Sequence, residues 1–294
     1  MSNEQSGMWK IDISMLPKSQ LLEIAAYIRE DTLNVVNKTQ EFKPVRETFY
    51  TKYGKRFIDI VLSSAALLIT LPINAVIGVV TFFDVGSPIF FQQTRIGKNR
   101  KEFVIYKFRN MTNETDANGE LLPPNQRVTK WGKFVRKTSL DELLNFVSIF
   151  KGDMSMIGPR PLIASYTGRL HNRHLMMYEV RPGLECPIYK DLDHAPTWQD
   201  RFDNYAWYAE NVSLLVDIKL ILKMLSLVFS KESTAKRSVS KNGAFLGYDT
   251  DGHVIDSNAV PAKYVEMMLK NHGYASIDDA VKDRENIKPA QQSA

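Results

Sequence analysis

Most of this chain alternates apolar and polar positions, but one stretch does not. From Ile60 to Phe83, 24 residues carry no charge: IVLSSAALLITLPINAVIGVVTFF. A straight helix of that length would measure about 36 Å, enough to cross a hydrocarbon layer of about 30 Å. Pro72 stands at its centre, with Asn74 close behind. Proline lacks the backbone donor and crowds the preceding turn, so it bends a helix. Each half, at about 12 residues, is too short to span alone. Lys52, Lys55 and Arg56 precede the run, and Arg95, Lys98, Arg100 and Lys101 follow it. Basic residues mark the cytoplasmic side, and here both ends give the same answer. The pattern predicts a re-entrant hairpin kinked at Pro72, with a kinked spanning helix as the alternative. Ser63, Ser64, Thr70 and Asn74 are candidates to partner backbone groups freed at the kink.

Other rhythms divide the rest of the chain. Residues 1–50 form an N-terminal extension with an amphipathic helix over about Ser19–Asn37. Residues 51–86 are expected to hold the membrane hairpin, and residues 87–230 to form a compact domain. That domain opens with strand patterns at Pro88–Gln92 and Glu102–Phe108 and a polar loop from Asn113 to Arg127. Apolar residues at 143, 144, 146, 147, 149 and 150 predict a helix over Leu140–Phe150, ended by Gly152. Tyr166–Tyr178 also reads as helix, stopped by Pro182–Gly183. Val212–Phe229 is amphipathic, and a membrane-surface helix and a core helix fit it equally. Residues 231–294 are a linker and C-terminal extension, with two short strands around Asp251–Gly252. The expected fold class is α/β, more strictly α+β and mostly helical, on a monotopic membrane anchor.

Composition narrows the partners. Hydrophobic residues make up 44% and charged residues 24%, the range of folded chains. The net charge of +5 suits an anionic partner. Basic residues are interspersed with acids, and no helix-turn-helix or zinc-finger spacing occurs, so nucleic acid is not expected. The single Cys186 excludes an intrachain disulfide and a cysteine-based zinc site. The start of the chain lacks the basic-then-apolar pattern of a secretory signal. His171 and His174 lie three apart and could share a helix face. Two solvated histidines are the simpler expectation there, ahead of a metal site.

Candidate chemistry concentrates in Arg136–Pro161, RKTSLDELLNFVSIFKGDMSMIGPRP. Asp141 and Glu142 begin the expected helix, with Arg136 before them and Arg160 in a rigid GPRP turn after it. Ser139-Leu140-Asp141-Glu142 also fits a capping box, which would make the acids structural. The basic company favours chemistry. A planar guanidinium fixed between two prolines suits bidentate phosphate binding. Lys107 and Arg109 lie in KFRNM, and Arg95 lies in QTRIG. Nucleotide-diphosphate chemistry needs such cations, commonly with a divalent metal on a carboxylate. Two neighbouring acids allow one to attack phosphorus while the other holds the metal.

KRFIDIVLS, PIFFQQTRIGKNRKEFVIYKFRNM, WGKFVRKTSLDEL and KGDMSMIGPRP together resemble the bacterial sugar transferases, small monotopic polyprenyl phosphate phosphoglycosyl transferases. The resemblance runs from about Lys55 to Pro187, weakens over Asn211–Phe229 and is absent from both ends. It implies a re-entrant helix bent at Pro72. It implies that Asp141 attacks the phosphate next to the sugar of a UDP-sugar, so that UMP leaves and a phosphosugar stays on the carboxylate. Polyprenyl (undecaprenyl) phosphate then takes the phosphosugar, in the first membrane step of a surface glycan. Glu142, with Asp141, would hold Mg²⁺. Lys107, Arg136 and Arg160 match basic motif positions and become expected phosphate contacts; Arg95 and Arg109 are divided between that role and a structural one. The implied place is the bacterial inner membrane, with the catalytic domain on the cytoplasmic face. Membrane lipids would be partners there, and a second copy or glycan-pathway enzymes are the candidate protein partners.

Two departures stand out. The family's DELPQ is Asp141-Glu142-Leu143-Leu144-Asn145 here, and its RPGLTG is Arg181-Pro182-Gly183-Leu184-Glu185-Cys186. The second puts an acid where a small polar residue is usual, and bears on sugar or nucleotide recognition. The rival reading is a catalytically inactive membrane-surface scaffold that recruits glycan-pathway enzymes. Intact Asp141, Glu142, Lys107 and Arg160 weigh against it.

Overall fold

The structure, a computed structural model, describes residues 10–115, 121–122, 124–229 and 242–282. Strand β1 (Lys10–Ile11) and helix α1 (Lys18–Val36) lead through one π-helical turn at Tyr50–Gly54 into the long helix α2 (Lys55–Val85). A hairpin follows, β2 (Phe90–Ile96) and β3 (Glu102–Phe108), then α3 (Pro124–Arg127), α4 (Lys130–Lys137), a 3₁₀ turn at Leu140–Glu142 and α5 (Asn145–Lys151). Strand β4 (Ser155–Ile157) is separated from β5 (Gly183–Glu185) by α6 (Ala164–Thr167), α7 (Asn172–Leu175) and a 3₁₀ turn at Met176–Glu179. Helices α8 (Trp198–Asn211) and α9 (Leu214–Phe229) complete the central part. Strands β6 (Phe245–Tyr248), β7 (Val254–Asp256) and β8 (Val260–Pro261) and helices α10 (Ala262–His272) and α11 (Ile277–Lys282) form the C-terminal part. The result is mixed helix and sheet, with the strands in two-stranded pieces.

Helix α2 runs unbroken through Pro72. Ser64 donates to Ile60 O at 2.7 Å and Thr70 to Ala66 O at 2.8 Å, so these hydroxyls bond one turn back along their own helix. Tyr50–Val85 is long and apolar enough to cross a membrane, by length and composition. Its apolar side chains are largely exposed: Leu68 keeps 75% of its surface and Phe83 82%. The few buried positions carry its docking. At its start, Arg56 donates 2.6 Å bonds to the carbonyls of Ile149 and Phe150 at the end of α5. Asp59 Oδ1 accepts from Ser155 Oγ and Met156 N, both at 2.9 Å. Lys55 Nζ lies 2.6 Å from Asp217 Oδ2 on α9, and Tyr208 on α8 donates to the other Asp217 oxygen at 2.7 Å. At its end, Thr129 donates to Asp84 at 2.6 Å and Trp131 Nε1 to Thr81 at 3.2 Å. Both ends of α2 are thus tied to the same domain.

Several expected elements differ in detail. The helix expected over Leu140–Phe150 is divided: 3₁₀ bonds run through Leu143 N to Leu140 O and Phe146 N to Leu143 O, both 3.3 Å, before α5 begins. It ends as expected, with Gly152 in the left-handed conformation. The helix expected over Tyr166–Tyr178 is split into α6, α7 and a 3₁₀ turn. Helix α8, unread in the sequence, starts from a true capping box in which Thr197 and Asp200 bond reciprocally. The segment expected as linker, residues 231–241, lies outside the described residues.

The two ends of the chain meet. Strand β1 pairs antiparallel with β8, and Ile13, Ile24 and Ile28 share a buried cluster with Leu246, Tyr264 and Met268. This unit is bolted to the catalytic domain by Arg169 Nη1 to Phe245 O (2.7 Å) and Trp198 Nε1 to Gly243 O (2.8 Å).

Removing one member of a buried ion pair leaves the other desolvated and uncompensated. Lys55→Ala should therefore lower stability by roughly 3–5 kcal/mol. The check is the unfolding midpoint of the detergent-solubilised protein, with the exposed Lys101→Ala moving by less than about 0.5 kcal/mol.

Candidate active site

The 3₁₀ turn at Leu140–Glu142 presents two acids in unequal surroundings. Ser139 precedes it at φ +56°, in the left-handed region, and its side chain caps nothing. The capping box expected at Ser139–Glu142 is not formed, because Glu142 is held elsewhere. Lys107 Nζ donates to Glu142 Oε1 at 2.8 Å, and Arg160 Nη2 donates to the same oxygen at 2.7 Å. Burial pushes the Glu142 carboxyl up, but the Arg160 and Lys107 charges outweigh it and hold it below the ordinary range. Asp141 is 7% exposed. Burial pushes its carboxyl up; the Lys107 charge pulls it back, and the Glu142 charge adds to the rise. The net shift is upward.

The framework explains why these cations converge. Lys107 sits on β3 opposite Phe91, in an antiparallel register that runs from Phe90–Phe108 to Ile96–Glu102. Arg160 follows β4, which lies parallel to β5 with Ser155 opposite Gly183 and Ile157 opposite Glu185. At this junction the GPRP and RPGL segments touch backbone to backbone. A Cβ on Gly183 would come within 2.1 Å of Gly158 N, and one on Gly158 within 2.4 Å of Arg181 O. Only glycine fits at either place. Gly183 N donates to Pro159 O at 2.9 Å, which fixes the turn that carries Arg160.

A small open cleft lies here, lined by Arg95, Lys107, Glu142, Asn145 and Arg160. Arg95 Nη2 donates to Gln93 at 2.6 Å, while its Nε is buried without a partner. Burial, and then the Arg160 charge, lower the Arg95 guanidinium. Arg136 is exposed on α4, outside the cleft lining, yet its charge still reaches Asp141. The structure does not bring Arg109 into this group. Its Nη2 donates to the carbonyls of Val85 and Gly86, closing the end of α2. Glu185, the acid at the second departure, accepts from Cys186 N at 3.1 Å and adds a negative charge felt by Arg160.

Two further points were not read in the sequence. Asn145, seen there only as a departure, lines the cleft at 5% exposure; its spacing of three from Glu142 was the available signal. His171 and His174 are buried rather than solvated, with ring centroids 3.9 Å apart. His174 lies 2.7 Å from Tyr248 Oη and 3.1 Å from Asp203. Burial, then the neighbouring His174, bring His171 down to about 3. The pair packs the catalytic domain against the C-terminal unit, which the helical spacing alone could not reveal.

The model of the family described as bacterial sugar transferase matches residues 50–231. The chain is 36% identical over 178 residues to the uncharacterized sugar transferase EpsL of Bacillus subtilis, covering 60% of this chain and 88% of that protein. It is 29% identical over 184 residues to a UDP-N-acetylgalactosamine-undecaprenyl-phosphate N-acetylgalactosaminephosphotransferase of Aeromonas hydrophila, covering 60% of this chain and 44% of that protein. It is 32% identical over 177 residues to a UDP-glucose:undecaprenyl-phosphate glucose-1-phosphate transferase of Klebsiella pneumoniae, covering 57% and 38%. The match thus spans less than half the length of the last two proteins.

The Lys107 charge restrains the rise at Asp141, so Lys107→Met should lift that carboxyl further. The carboxylate then appears at higher pH than in the unaltered protein. Titration of the Asp141 carboxyl carbon by NMR in both proteins checks the direction.

Proposed function

We propose that this chain, which belongs to the bacterial sugar transferase family, moves a sugar 1-phosphate from a UDP-sugar onto a polyprenyl phosphate. The observation that carries the reading is the site itself: a buried Asp141 next to Glu142, which Lys107 and Arg160 clamp in a cleft that Arg95 also lines. The names of the Aeromonas and Klebsiella relatives, both undecaprenyl phosphate transferases, support the substrate pair.

The chemistry follows from the two environments. The Asp141 carboxylate attacks the phosphorus joined to the sugar. The bond from that phosphorus to the bridging oxygen breaks, and UMP leaves with the electron pair. A phosphosugar remains on Asp141. An oxygen of polyprenyl phosphate then attacks the same phosphorus, the carboxylate departs, and a polyprenyl diphosphate sugar is formed. Lys107, Arg160 and Arg95 bind the phosphates and offset their charge. Arg136 contributes at longer range. Two adjacent carboxylates suit a hard divalent ion, and both bonds to Glu142 use only Oε1. Glu142 and Asp141 would hold Mg²⁺, which supplies further positive charge to the diphosphate when bound.

The membrane reading is a re-entrant α2 at the cytoplasmic face of the inner membrane. It is supported by the tethering of both ends of α2 to one domain and by the basic residues at both flanks. The outer face of α9, with Leu215 and Leu222 at 72% and 61% exposure, extends the apolar surface. Lodging the catalytic domain at the bilayer turns the encounter with a lipid-tethered acceptor into a local one.

Asp141→Asn should abolish UMP release from UDP-sugars in detergent with Mg²⁺, whereas Arg95→Ala should retain partial activity. Turnover by Asp141→Asn at the unaltered rate would refute the nucleophile. For topology, Lys52→Cys and Lys101→Cys should both label from the cytoplasmic side in spheroplasts treated with an impermeant thiol reagent. Labelling of the two from opposite sides would replace the hairpin with a spanning helix.

A further inference from the structure

Two buried atoms that face the cleft have no hydrogen-bond partner among the described residues, and they are chemically opposite. Arg95 Nε is a donor, and Asn145 Oδ1 is an acceptor. A nucleotide diphosphate offers only acceptors along its phosphates, so it can complete Arg95. It cannot complete Asn145. A side chain that is 5% exposed and opens onto a substrate cleft needs a donor from whatever fills that cleft. No described side chain donates to it, and the nearby cations Lys107 and Arg160 donate to Glu142.

We propose that Asn145 is a sugar-reading residue, whose Oδ1 accepts a hydrogen bond from a hydroxyl or amide N–H of the sugar next to the attacked phosphate. This rests on the transferase reading above. Its position favours the sugar: Asn145 begins α5 three residues after Glu142 and lines the cleft with it, one short turn along the chain from the Asp141 that would take the phosphosugar. A buried acceptor left unpaired discriminates against a substrate lacking the donor, which is how a polar site tells similar sugars apart. The two sugars named in the relatives, glucose and N-acetylgalactosamine, differ in just such groups.

The test pairs protein and substrate deletions. UMP release by the full-length protein is measured with UDP-glucose, UDP-N-acetylgalactosamine and the monodeoxy analogues of whichever is turned over faster. With the faster sugar, Asn145→Leu should lose about 10- to 100-fold in kcat/KM, the usual range for one buried hydrogen bond. With one deoxy analogue, unaltered protein and Asn145→Leu should agree within about 3-fold, because the partner is already gone. Asn145→Asp, which keeps an acceptor, separates lost recognition from misfolding and should preserve the same sugar preference. A penalty that persists with every deoxy analogue overturns the proposal. So does a loss that disappears on raising Mg²⁺, which would place Asn145 on the hydration of the cation. Absence of UMP release by the unaltered protein with any UDP-sugar would instead sink the transferase reading itself.

Discussion

The start of α2 is the joint on which the rest of the molecule depends. Within its first five residues, Lys55 to Asp59, a largely apolar helix carries three polar hands that face protein. Arg56 holds the carbonyl end of α5, Asp59 holds the first residues of β4, and Lys55 is buried against Asp217. Helix α5 follows Asp141 and Glu142 directly, and β4 leads directly into the Arg160 turn. One element therefore positions both the turn that carries the acids and the cation that clamps Glu142. The desolvation of Lys55 and Asp217 is expensive, and it is offset in part because Tyr208 and Tyr50 also donate to Asp217. Such a buried, bonded network rigidifies the joint between α2 and the elements that carry the site.

At the Leu140–Glu142 turn, two adjacent carboxylates have different characters. Glu142 has two cations on one oxygen and is held ionised. Asp141, buried and without such a clamp, is less willing to ionise. A carboxylate with little hydration and no close partner is the better nucleophile, and an anchored one the better ligand. The same division follows if the two acids are compared by their neighbours alone. Arg109 marks the limit of this logic: it lies two residues from Lys107 yet serves the end of α2.

The chain ends, which lie outside the family match, are not loose appendages in the described residues. They share a hydrophobic cluster, close through the β1–β8 pair, and reach the catalytic domain through buried groups that include Arg169, His174 and Tyr248. Neutral histidines suit this seam. A closely packed, buried pair disfavours two positive charges, and Asp203 and Tyr248 already satisfy His174.

The sequence by itself determined what depends on local rhythm and on residue identity. The apolar run with Pro72, the β2–β3 strand pair, the end at Gly152, the hairpin around Asp251–Gly252 and the motif residues Lys107, Asp141, Glu142 and Arg160 were all legible, because periodicity and turn chemistry act within a few residues. Tertiary structure decided the rest. Whether Ser139–Glu142 capped a helix depended on Lys107 and Arg160, which arrive from 35 and 18 residues away and claim the Glu142 oxygen. Whether Arg109 joined the cations depended on where α2 ended. Asn145 gained meaning only when β3, α5 and the Arg160 turn enclosed it, and His171 and His174 only when the far end of the chain covered them. Pattern along a chain specifies which face is apolar; only folding specifies which charges meet, because an ion pair or a buried amide is chosen by distance in space and carries no period in sequence.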